Sequence, residues 1–173
     1  MAKDYTKGLQ KKLKITNINA VPKIDSVIIT MGIGSMVTRK GHKDFEEFEK
    51  NLIKITGQKP RLIKSKQSIS NFKLREGMPV MLQTTIRKTK AIDFLDRFYK
   101  LVLPRIRDFE GIKPKSFDKQ GNLNMGINNY NIFPELGIDD VTIPMGIGIT
   151  IVTTTNKKEE SQSLLEEIGF VFK

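Results

Sequence analysis

The chain contains no cysteine. Disulfides and thiolate metal sites are thereby excluded, and a reducing compartment fits. Histidine occurs once, as His42. A general base needs an orienting partner and a metal site needs several ligands. Neither can be named here, so His42 reads as a solvated residue near a helix start, and no metal or cofactor is expected. Long apolar runs are missing as well. Met1 to Leu13 has no signal-peptide core,, and no window approaches the ~20 apolar residues of a membrane span. The expectation is a soluble, cytoplasmic protein without a membrane partner. Residues 121–155 hold no Lys or Arg at all, and this last absence gives the charge a direction.

The 173 residues carry 30 Lys and Arg against 19 Asp and Glu, a net charge of +11. Residues 1–24 are net +5, residues 57–90 are net +8 and residues 121–155 are net −3. A uniformly solubilising surface would not be graded in this way. The gradient points to a polyanionic partner. With 38% hydrophobic residues, the chain is long enough for one real core. A single domain over 1–173 is expected, with a basic N-terminal helix in residues 1–16.

Local patterns place the elements. Leu9 and Leu13 sit at helical spacing in a basic stretch from Asp4 to Lys14, weakened by Gly8. Ile24 to Met31 is β-branched and reads as a strand. Asp44 to Ile55 is an amphipathic helix on Phe45, Phe48, Leu52 and Ile55, stopped by Gly57. Lys59 to Lys64 is a short strand. In Val80 to Lys88, Leu82, Thr84 and Ile86 point one way, while Met81, Gln83, Thr85 and Arg87 point the other. Ala91 to Leu103 reads as a helix on Ile92, Leu95, Phe98 and Val102, ended or kinked by Pro104. Gly121 to Ile127 and Ile143 to Thr155 are strands. Asn156 with Glu159 fits the cap of a last helix that Gly169 ends. Strands and helices intermix without a steady βαβ rhythm. The expected fold class is α+β: a twisted, mostly antiparallel sheet with helices on one face and the other face open for a partner.

Some motifs fail on inspection. Gly32-Ile33-Gly34 follows a strand, but the third glycine of a dinucleotide fingerprint would fall on Val37. A bulge or a close backbone approach fits better. Glu46-Glu47, Glu159-Glu160 and Glu166-Glu167 lie on helix exteriors, where neighbours do not face one another. Asp139-Asp140 suits a turn. No catalytic constellation emerges, and no enzyme is expected.

The segment Ser65 to Pro79 (SKQSISNFKLREGMP) is different. Structureless loops longer than about 12 to 15 residues are uncommon in compact domains and are usually functional or disordered. This one combines Lys66, Lys73 and Arg75 with Ser65, Ser68, Ser70 and Asn71, the donors that contact phosphate backbones. Ile69 and Phe72 interrupt them. Two readings stand side by side: both anchor the loop on the core, or both form an exposed apolar tip that packs on RNA.

Several blocks, taken together, resemble the bacterial-type large-subunit ribosomal protein five family, which binds 5S rRNA in the central protuberance. They are Asn17 to Ile24 (NINAVPKI), Thr56 to Pro60 (TGQKP), Ser68 to Pro79 and Phe94 to Arg97. Further on come Leu103 to Gly111 (LPRIRDFEG), Pro114 to Asp118, Gly121 to Ile127, Ile132 to Glu135 and Ile149 to Thr154. The resemblance is collinear from about residue 17 to 172. It implies a structural constituent of the large ribosomal subunit, without enzymatic activity and without a homo-oligomer. It implies 5S rRNA and adjacent large-subunit rRNA as partners, with Thr30, Gln58, Lys59, Gln83, Thr85 and Arg87 as contacts. Residues 65–79 would reach P-site tRNA through Lys66, Ser68, Ser70, Asn71, Phe72, Lys73 and Arg75. Another surface would bridge to a small-subunit head protein. Charge alone leaves a non-specific RNA-binding protein or RNA chaperone as the alternative. The chain departs from the family pattern at Thr30 (commonly Asn), at Glu110 (Arg) and at Met145 to Gly148 (Arg-Gly-Met-Asp). A Gly-Arg-Gly turn is replaced by Lys119-Gln120-Gly121.

Overall fold

The computed structural model describes residues 5–40, 45–107, 109–137 and 143–173. His42, Asp44 and the Asp139-Asp140 pair lie outside the described residues. Five strands, β1 (Ile24–Gly32), β2 (Arg61–Lys64), β3 (Pro79–Arg87), β4 (Leu123–Ile127) and β5 (Ile147–Thr153), form one sheet in the order β2-β3-β1-β5-β4. The sheet is antiparallel and open, and the fold is α+β. The helices are α1 (Thr6–Lys12), α2 (Gly34–Lys40), α3 (Glu46–Thr56), α4 (Lys88–Arg97) and α5 (Lys158–Ile168). The chain divides into two compact units. The first comprises Met1–Val27, Ile86–Met125 and Thr150–Lys173, and the second Ile28–Thr85 and Gly126–Ile149.

The strands bury one side only. Val27, Ile29 and Met31 of β1, Leu82, Thr84 and Ile86 of β3, and Ile147, Ile149 and Ile151 of β5 are buried. The residues between them are half-buried or exposed over most of each strand. This is the alternation expected of a sheet with one dry and one wet face. The buried hydroxyl of Thr84 has no hydrogen-bond partner among the described residues, a local cost on the dry face.

In the second unit, α3 shows why its residues form a helix. Glu46, Glu47 and Glu49 occupy the first turn and Lys54 the last, which suits the helix dipole,. Phe48, Leu52 and Ile55 are buried together with Asn51, whose amide donates to the Tyr130 hydroxyl at 3.3 Å. Gly57 closes the helix in the left-handed conformation (φ 66°), its N–H bonded to the Ile53 carbonyl at 2.7 Å.

In the first unit, α1 forms despite Gly8. Leu9 is fully buried with Val21 and Leu164, and a short helix draws its stability from such packing rather than from propensity. Lys12 pairs with Glu166 of α5 at 2.7 Å. That hydrogen bond, followed by one from Gln162, holds the Glu166 carboxyl below its ordinary value.

Several expectations need correction. Gly32-Ile33-Gly34 breaks the strand, one of the two outcomes its glycines suggest, and does not bulge it. The strand ends at Gly32 and α2 starts at Gly34, with the Ile33 N–H on the Val80 carbonyl at 2.9 Å. The α2 sequence, Gly-Ser-Met-Val-Thr-Arg-Lys, has too little amphipathic contrast to announce a helix. The cap of α5 is not Asn156 with Glu159. Thr155 Oγ1 accepts from the Lys157 N–H at 3.2 Å and donates to Glu160 at 2.6 Å. The cap position is held by Lys157, whose side chain makes no cap bond, and Thr155 instead ties the turn before it to Glu160. The helix expected over Ala91 to Leu103 is α only to Arg97, then widens into a π turn over Phe98–Val102 before a 3₁₀ turn at Leu103–Arg105. Its dry side is Ala91, Phe94, Leu95, Phe98 and Val102, and Ile92 is only half-buried. The last strand is Ile147–Thr153, shorter than expected at both ends, and β2 begins at Arg61 rather than Lys59.

Gly121 and Gly57 separate two costs. Both have positive φ, +78° and +66°. A Cβ at Gly121 would lie 2.9 Å from Ser161 Oγ and from the Thr155 carbonyl, whereas at Gly57 it would meet nothing within 4 Å. Gly57→Ala is expected to cost about 1–2 kcal/mol, the left-handed penalty alone. Gly121→Ala should cost a further ~1–3 kcal/mol for the clash. Urea unfolding midpoints at constant slope measure both. Equal losses would show that the Gly121 turn yields.

Candidate nucleic-acid interface

The wet side of β3 presents Met81, Gln83, Thr85 and Arg87, none of them buried. Antiparallel pairing sets Arg61 of β2 opposite Gln83, and Ile63 opposite Met81. Arg61 is exposed and was missed in the sequence, because a four-residue strand does not announce its register. Gln58 follows the α3 cap. Its backbone N–H bonds Thr56 Oγ1 at 3.2 Å, and its side-chain amide donates to the Thr85 carbonyl at 3.2 Å. The structure thus brings Gln58 and Thr85 together, with Lys59 exposed beside them. The Gln58 side-chain oxygen and the Thr85 hydroxyl make no hydrogen bond among the described residues, while the Gln58 backbone carbonyl accepts from Thr56 Oγ1 at 3.0 Å. At the end of the strand Arg87 Nη1 lies 3.3 Å from Asp25 Oδ2, which also accepts from Ser26 Oγ at 3.0 Å. Both charged side chains are about half exposed, so the pair is a weak surface contact that leaves guanidinium donors free.

Thr30 stands apart from this set. Its hydroxyl donates to the Gly148 carbonyl at 3.3 Å, and a Cβ at Gly148 would sit 2.7 Å from Thr30 Oγ1. Two departures from the family pattern are therefore neighbours, and the short residue at 148 makes room for the threonine. Glu110, another departure, forms an ion pair with Lys173.

The segment from Ser65 to Pro79 is not structureless. It is a finger closed by its own hydrogen bonds. Ser65 N–H reaches the Met78 carbonyl at 2.7 Å, and Gly77 N–H returns to the Ser65 carbonyl at 3.0 Å. Further out, Ile69 and Leu74 exchange both backbone bonds, at 2.9 and 3.1 Å, around a 3₁₀ turn at Ser70–Phe72. Lys73 ends that turn in the left-handed conformation (φ 52°). The Ser68 hydroxyl donates to the Leu74 carbonyl at 3.1 Å, so its proton is spent within the finger. Phe72 is 70% exposed and Ile69 40% exposed. Of the two readings of these residues, anchoring in the core is the one that fails. Ser70, Asn71, Lys66, Lys73 and Arg75 are exposed too, and the three cations make no ion pair among the described residues.

Comparison with known proteins decides what kind of molecule carries these surfaces. Residues 17–75 match the family described as ribosomal protein L5, and residues 79–172 match the C-terminus of the same ribosomal protein family. The chain belongs to the ribosomal L5 family. It is similar to the large ribosomal subunit protein uL5 of Syntrophotalea carbinolica, 43% identical over 95% of this chain and 89% of the relative. It is also similar to the uL5 proteins of Streptococcus sanguinis (41% identical) and Pediococcus pentosaceus (42%), each over 98% of this chain and 93% of the relative. A member of the ribosomal L5 family is a structural constituent of the large ribosomal subunit and not an enzyme, and the bacterial ribosome is cytoplasmic. The charge gradient, the wet sheet face and the basic finger fit association with rRNA.

Asp25 is the acid that occupies Arg87. Asp25→Asn should change folding stability by at most about 1 kcal/mol, as expected for an exposed pair. It should tighten binding to rRNA several-fold at low salt, and less at high salt. Filter binding across a salt series measures this. Weaker binding in the variant would mean that Asp25 orients Arg87 rather than competing for it.

Proposed function

We propose that this protein binds 5S rRNA and an adjacent segment of large-subunit rRNA in the central protuberance, using the wet face of β3 and the Gln58–Lys59 corner. The observation that carries this reading is the two-sidedness of β3. Three residues of one strand are buried, and the residues alternating with them end in Gln83, Thr85 and Arg87. The reading gives each a role. Arg87 serves as a fork for phosphate or a base edge. Gln58, Gln83 and Thr85 donate to or accept from sugars and bases, while Lys59 meets phosphate. Thr30 contributes its methyl and hydroxyl surface at the neighbouring strand. Wide, shallow RNA grooves are recognised by such sugar and phosphate contacts.

In the same proposal the finger, residues 65–79, faces P-site tRNA. Its exposed Lys66, Lys73 and Arg75 suit a polyanion, and its apolar tip suits bases. A bridge to a small-subunit head protein belongs to the proposal on the family resemblance alone. Binding to 5S rRNA, titrated with salt against an unrelated structured RNA of equal length, tests the core of the proposal. A strong preference for 5S rRNA that survives moderate salt supports it. Equal binding that fades together as salt rises favours a non-specific RNA-binding protein or chaperone.

Two substitutions divide the surfaces. Arg87→Ala should weaken 5S rRNA binding by about 1–3 kcal/mol, the worth of a good bidentate contact. Unchanged affinity would remove Arg87 from the interface. Neutralising Lys66, Lys73 and Arg75 together should leave 5S rRNA binding nearly intact and impair retention of P-site tRNA on ribosomes. Collapse of 5S rRNA binding instead would make the finger an rRNA anchor.

A further inference from the structure

A cleft of about 590 Å³ lies in the second unit between α2 and the finger, lined by Gly34, Ser35 and Thr38 on one side and Asn71, Phe72, Lys73, Leu74 and Val80 on the other. Its size falls in the range of small-ligand sites, roughly 300–1,000 Å³. The Thr38 hydroxyl is already bonded to the Gly34 carbonyl at 2.9 Å. The Asn71 amide and the Ser35 hydroxyl make no hydrogen bond among the described residues. An unengaged carboxamide offers one donor beside one acceptor, the pattern of a nucleobase edge. Phe72 places a largely exposed ring at the mouth, and Lys73 follows it on a left-handed backbone that L-residues avoid,.

We propose that the cleft between α2 and the finger tip receives one unstacked nucleobase. Phe72 stacks on the base, Asn71 and Ser35 bond its edge, and Lys73 meets the adjoining phosphate. The inference rests on the finger meeting RNA and adds that it does so by capturing a base rather than by charge alone. The occupant follows from the charge. The finger holds three exposed cations against one acid, Glu76, so a polyanion is favoured. Among polyanions, RNA with an extruded base matches the ring and the free amide.

The test uses the full chain and two RNA hairpins of equal phosphate count, one fully paired and one with a single bulged 2-aminopurine. The bulged hairpin should bind about tenfold more tightly, the usual worth of one stacked base, with a change in aminopurine fluorescence on binding. Phe72→Ala and Asn71→Ala, both at exposed positions, should erase most of that preference and the fluorescence change. The paired hairpin should be affected far less. Replacing Lys66, Lys73 and Arg75 with Gln should weaken both hairpins alike. A wild-type protein with no preference, or a Phe72→Ala variant that keeps it, overturns the base-capture proposal. Failure of the underlying reading looks different: the triple Gln variant would then bind both hairpins as tightly as the wild type does.

Discussion

Side chains along a strand leave on alternate sides, and in this sheet only one side is apolar enough to be buried. Every other property of the molecule depends on that constraint. Leu82 and Ile86 cannot be buried without sending Gln83, Thr85 and Arg87 the opposite way,. A shift of one residue would expose the leucine and isoleucine and bury an arginine. The hydrophobic pattern therefore holds the register, and the register aims the polar groups. The polar face follows from the way the core is secured, with no separate device to orient it.

Much of this was legible in the residues. β1, β3, α3 and the existence of α5 follow from period two and period 3.6 in long segments, where many positions agree. Gly57 and Gly169 were read as helix stops and act as such. Features resting on few residues were lost. α2 has seven residues and a glycine start. Its first turn leans on Val80 of β3, a partner distant in sequence. The expected cap of α5 does not form: Lys157 holds the cap position without a side-chain bond, and Thr155, two residues earlier, donates its hydroxyl to Glu160. Leu95, Phe98 and Val102 are buried as the helical count expects, but the π turn at Phe98–Val102 was not anticipated and Ile92 is only half-buried.

The site shows the same division. Gln83, Thr85 and Arg87 were visible as alternating positions on one strand. Arg61 was not, because its place opposite Gln83 depends on pairing between strands. The contact of Gln58 with the Thr85 backbone spans 27 positions and has no local signature. The finger was recognised by charge and length, while its internal order was hidden. Nothing in Ser-Ile-Ser-Asn-Phe-Lys-Leu announces that Ile69 and Leu74 will pair across a left-handed lysine.

That closed finger bears on timing. A segment whose backbone is ordered within its own chain has met the backbone share of the entropy cost when the protein folds, so a visiting molecule has only the exposed side chains left to order. Its grip then depends on a handful of side chains at one end, and the lifetime of the contact follows from their number. Such a contact can form quickly and break quickly. That is the behaviour the proposed tRNA contact requires, in contrast to a surface sealed once during assembly.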